Sequence, residues 1–92
     1  MIVSTLEIQL LIRQSRSLKD KRRVLKSITT RIQNRFNVSI SEIDKQDSLR
    51  VAVLGIAFVS NERRFADRIF QQIIPSLRQT PGAELSTFEI DL

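Results

Sequence analysis

The chain contains no cysteine, histidine, tryptophan or tyrosine. Without cysteine there is no disulfide framework, no thiolate nucleophile and no cysteine-ligated metal or iron–sulfur cluster. Without histidine the commonest general base and the commonest metal ligand are both missing. The chain is therefore expected to be non-enzymatic, with no metal and no cofactor. The missing Trp and Tyr remove most of the usual base-stacking equipment. There are only two glycines, Gly55 and Gly82, which rules out the GXXG loop of a KH domain and any glycine-rich phosphate loop. No apolar run approaches the roughly 18 residues needed to span a bilayer. Met1-Ile2-Val3 leads straight into an alternating pattern without a basic leader, so no signal peptide, no membrane partner and a cytoplasmic location are expected.

What is present is enough for one domain. Ninety-two residues with 41% hydrophobic content can bury a core unaided, and the whole span 1–92 is expected to be a single unit. The net charge of +5 comes from 15 basic and 10 acidic residues. Its distribution says more than its size: residues 1–36 hold nine cations and two acids, residues 37–92 six cations and eight acids. A local basic surface is implied.

The densest part of it is Ser17 to Phe36, SLKDKRRVLKSITTRIQNRF. At 100° per residue, Leu18, Val24, Leu25, Ile28, Ile32 and Phe36 fall within an arc of about 120°, opposite Lys19, Arg23, Lys26 and Thr30. This predicts an amphipathic helix, opened by Ser17 with Asp20 three residues on and ended at Phe36-Asn37. Lys19, Lys21, Arg22 and Arg23 crowd the first turn and a half, where acids are normally favoured. With Arg13 and Arg16 in the preceding loop they suggest an anion-binding surface; the alternative is a solvated basic face without a ligand. Lys21 projects inside the apolar arc and is expected to snorkel from the end of the core, with a bound anion or a buried ion pair as the other accounts.

The rest of the chain supplies strands and a second helix. Residues 2–12 alternate, with Ile2, Leu6, Ile8, Leu10, Ile12 and Ser4 on one face. Residues 37–45 form a polar strand that suits a sheet edge, and 44–48 a turn. Residues 49–60 are the most apolar strand and are expected at the centre, with Gly55 marking a bulge or a close approach by another backbone. Ser60-Asn61 can cap a second helix carrying Phe65, Ile69, Phe70, Ile73 and Leu77, which Pro75 should kink or shorten. Leu85 to Leu92 closes the chain as a strand. The order strand–helix–strand–strand–helix–strand is that of an α+β, ferredoxin-like βαββαβ fold, a four-stranded antiparallel sheet with two helices on one face.

That fold hosts many functions, so the site must decide. The open sheet face has no aromatic at Val53, Gly55, Ala57 or Val59, which argues against RNA stacking on the sheet. Val3, Leu11, Val51, Val53, Ala57 and Val59 instead form an apolar partner face, for homodimerisation or docking on a protein. Glu42 and Asp44 are expected to share a strand face, more as solvated edge charges than as a metal site. For nucleic acid there remains the helix face, with Arg13, Arg16, Lys19, Lys21, Arg22, Arg23 and Lys26 as candidate RNA or anion ligands reading backbone and shape.

Three segments, SLKDKRRVLKS (17–27), RFNVSISEIDKQD (35–47) and AVLGIAFVSN (52–61), resemble the YlxP-like family of small bacterial proteins, a domain of unknown function. The resemblance spans essentially the whole chain. It implies a ferredoxin-like fold, bacterial origin and a frequent genomic association with translation factors and ribosome-maturation genes. The basic segment matches in full, carrying over Lys19, Lys21, Arg22 and Arg23. Many members have a His where Lys45 stands and an aromatic near Leu49-Arg50, and this chain departs from them there. The expectation is a non-enzymatic factor that binds RNA or the ribosome, with a protein-interaction module as the alternative. A phosphate-handling enzyme using Arg13 or Arg16 and Asn37 is a remoter third.

Overall fold

A computed structural model describes residues 1–92 as β1 (Ile2–Leu11), α1 (Leu18–Arg35), β2 (Ser39–Asp44), β3 (Val51–Ser60), α2 (Arg63–Arg78) and β4 (Glu84–Asp91). The strands form one antiparallel sheet in the order β2-β3-β1-β4. This is the ferredoxin-like arrangement, with the two most apolar strands at the centre. Alternation along β1 sends Ser4, Leu6, Ile8 and Leu10 to one face, and the register with β3 sets Leu6 opposite Ile56 and Ile8 opposite Leu54. Both helices pack on that face. Leu25, Ile28, Ile32 and Phe36 come from the α1 end, and Ala66, Phe70, Ile73, Ile74 and Leu77 from α2, into one continuous core of 18 residues.

Magnitudes explain why α1 forms despite its cationic start. A misplaced terminal charge costs about 0.3–1 kcal/mol, whereas each fully buried Leu or Ile is worth about 1.5–3 kcal/mol. The cap adds to this: Asp20 N–H donates to Ser17 Oγ (3.1 Å), and Arg16 N–H donates to the Asp20 carboxylate (3.1 Å). The acid three residues after the cap thus reaches one residue further back than in the usual capping box.

Four local expectations are corrected. Residue 62 rather than 60 or 61 caps α2: Glu62 has the extended cap backbone without a side-chain cap bond, and Ser60 Oγ donates to its carbonyl (2.8 Å). Pro75 does not shorten α2, which continues to Arg78. The hydrogen bond that Pro75 cannot make frees the Gln71 carbonyl on an exposed flank, while Ile74 and Leu77 stay buried. Gly55 does mark a close approach, but by a side chain: a Cβ there would stand 3.0 Å from Ile43 Cγ2. Glu42 and Asp44 do not share a face. A register shift between them pairs Glu42 with Leu54 and Asp44 with Val53, so the bulge turns Glu42 toward the helices and Asp44 to the open face.

Candidate functional site

The charge of the molecule separates by layer. The two helices carry eleven of the fifteen cations and two of the ten acids; the four strands carry six acids and no cation. Since both helices cover the same face of the sheet, their solvent sides make one cationic surface. Arg16, Lys19, Arg22, Arg23 and Lys26 are exposed on it, and none has a carboxylate within ion-pair distance. Arg13 is also exposed but is partnered: its Nε donates to Glu84 Oε1 at 3.1 Å, and that hydrogen bond, aided by the attraction of the opposite charge, raises its pKa.

Lys21 is the clear correction to the predicted site. It is 1% exposed, with Nζ 2.9 Å from Glu42 Oε2 and donating to the Lys45 carbonyl at 2.7 Å. Its position in the apolar arc of α1 aims it at β2, and the bulge there turns Glu42 to meet it. The contact with Glu42 is an ion pair rather than an aligned hydrogen bond. Lys21 is therefore a structural ammonium, unavailable to a ligand. It also steadies the backbone at Lys45, the one non-glycine residue with positive φ (57°).

Three features of this surface were not anticipated from the sequence. Arg50 joins Arg13, Gln14 and Arg16 around an open depression of about 520 Å³, and its Nε donates to the Ser15 carbonyl (3.2 Å), pinning the loop. The strand pairing could have revealed it, since Leu11 opposite Val51 forces residue 50 beside residue 12. A second open groove, about 550 Å³, runs along α1 between Arg23, Lys26, Ser27, Thr30, Arg31 and Asn34. Arg31 reaches from it to α2, where Nη2 donates to the Ser76 carbonyl (3.3 Å) and to Thr80 Oγ1. On α2 itself, the guanidiniums of Arg64 and Arg68 lie 5.3 and 6.0 Å from the Phe65 ring, held at the outer surface by cation–π contact.

The opposite face is uncovered. Of the predicted partner face, Val3 and Val59 are exposed, and Leu11, Val51 and Ala57 half-buried. Val53 is not available as contact surface: flanked by Gln9 and Asp44 in the ladder, it is 7% exposed and forms the floor of a depression. Elsewhere, the residues offered for phosphate chemistry are kept apart. Arg16 and Asn37 flank opposite ends of α1, whose 18 residues span about 27 Å at 1.5 Å per residue. No group of three His, Cys, Asp or Glu side chains converges as a metal site would require. No helix is long and apolar enough to cross a membrane.

Residues 3–90 match the family model described as a protein of unknown function, DUF503. The chain belongs to the DUF503 family. It is 44% identical over 78 residues to the uncharacterized protein YlxP of Bacillus subtilis (strain 168), a match covering 85% of each chain. Among solved structures it is similar to the solution NMR structure of a de novo designed protein with a ferredoxin fold, with a TM-score of 0.55 and 18% identity, covering all of this chain and 87% of the designed one. The likeness to the designed protein concerns the fold alone. Family membership and the fold agree with the resemblance read from the three sequence segments.

Proposed function

We propose that this DUF503 protein is a non-enzymatic factor that binds RNA, in keeping with the translation association its family implies, by laying its helix layer against the ribose–phosphate backbone. The observation that carries this reading is the set of unpaired cations, Arg16 in the loop before α1 and Lys19, Arg22, Arg23 and Lys26 on the outer side of α1. The groove beside them supplies Ser27, Thr30 and Asn34, neutral donors and acceptors of the kind that engage phosphate oxygens and 2′-hydroxyls. With no aromatic on the sheet face, recognition proceeds through charge and shape rather than base stacking.

Fluorescence anisotropy with a labelled fragment of small-subunit ribosomal RNA tests the reading. The variant Arg23→Glu/Lys26→Glu is expected to bind at least roughly tenfold more weakly, with an unchanged melting temperature because both residues are exposed. Equal affinity of the variant and the parent chain refutes this mode. Salt-sensitive binding to an acidic protein, indifferent to added RNA, would instead favour a protein-interaction module.

A further inference from the structure

The face of the sheet that no helix covers has its own chemistry. The register lays its side chains out in rows across the four strands: Asp44–Val53–Gln9–Thr87, then Ser41–Gly55–Glu7–Glu89, then Ser39–Ala57–Thr5–Asp91, then Val59–Val3. Glu7 and Glu89 are direct cross-strand neighbours, an arrangement of like charges that costs stability. Fold energetics alone gives no reason for it. Asp44 and Asp91 extend the acid from β2 to β4, while Val59 (59% exposed), Val3 and Ile43 leave apolar surface beside it. Ile43 lies across Gly55, at the side of an open depression of about 420 Å³ with Thr5, Glu7, Ser39 and Ala57. Lys45, at the rim of the neighbouring depression with Glu7, Asp44 and Glu89, is the one cation among these residues.

We propose that this face is the docking surface for a cationic, partly apolar segment of a partner protein, whose Arg or Lys side chains pair with Glu7, Asp44, Glu89 and Asp91 while its apolar residues cover Val3, Ile43 and Val59. Charge complementarity selects this occupant. Two copies of the face brought together by a two-fold axis would set acid against acid, and nucleic acid is repelled by it. Glu7 and Glu89 are then groups whose mutual repulsion is relieved on binding, the usual trade of native stability for function. The surface lies on the layer opposite α1, so RNA and the partner can be held at once.

The test uses a fluorescein-labelled dodecapeptide of alternating Leu and Arg, a Leu–Glu counterpart of equal length, and the full chain. The Leu–Arg peptide is expected to bind and the Leu–Glu peptide not to. Affinity for the former should fall about tenfold in Glu7→Gln/Glu89→Gln and also in Val3→Ser/Val59→Ser, and stay unchanged in Arg23→Glu/Lys26→Glu. That last variant separates this proposal from the RNA reading, since each can fail alone. Thermal melts establish that the variants are folded. Equal peptide affinity in the parent chain and in Glu7→Gln/Glu89→Gln overturns the proposal. So does sedimentation showing a dimer of the chain that Val3→Ser/Val59→Ser disperses.

Discussion

Lys21 shows how one side chain can be both a warning and a fastener. An ammonium 1% exposed is tolerable only because a carboxylate and a carbonyl oxygen meet it, and through them it ties α1 to β2 and to the turn after it. Removing one partner of such a pair strands the other. Lys21→Met is expected to cost about 2–4 kcal/mol in urea denaturation, and adding Glu42→Leu to recover much of it. A single-variant loss below about 0.5 kcal/mol, the scale of ordinary surface changes, contradicts the structural role. Ser4 is the converse case. Its hydroxyl is fully buried on the core face of β1, opposite Phe58, with no hydrogen-bond partner, so Ser4→Ala should raise stability by about 1 kcal/mol; a destabilised variant would mean that the hydroxyl is satisfied in solution.

At the scale of elements, periodicity determined most of what could be read in advance. The apolar arc of α1, the alternation of β1 and the apolar run of β3 were each legible because one buried face imposes one repeat. What escaped the sequence depends on register. Parity places Glu42 and Asp44 together; the bulge at Ile43 separates them, and nothing in the repeat announces a bulge. Lys21 could be placed on the arc, but its partner lies on another element and appears only when α1 packs on β2. The opposition of Glu7 and Glu89 is likewise a product of strand pairing. Glu89→Gln should stabilise the fold by about 0.2–1 kcal/mol, with the gain shrinking as salt screens the repulsion. Parallel thermal melts at low and high ionic strength measure it, and a fall in melting temperature for the variant would contradict the register argument.

For the molecule as a whole, the sequence shows a basic first third and a mildly acidic remainder, and the fold converts that into two layers of opposite sign. The conversion follows from topology. Both helices lie on one side of the sheet, so the cations of α2, scattered among the acids of the second half in sequence, join those of α1 in space. Hence the basic helix of residues 17–36 was legible while the contributions of Arg64 and Arg68 on α2 were not. A molecule so divided, 42 × 22 × 20 Å across, approaches a polyanion helices first, with its acidic sheet turned away.

The most direct test of this account is the slope of log affinity against log salt for the RNA fragment, measured for the parent chain and for Arg23→Glu/Lys26→Glu. Five phosphate contacts through the exposed cations of α1 and its leading loop predict a slope of about −3.5 to −4.5, reduced in magnitude by about 2 in the variant. A slope near zero, or one that the variant leaves unchanged, would mean that the helix layer is not an RNA-binding surface.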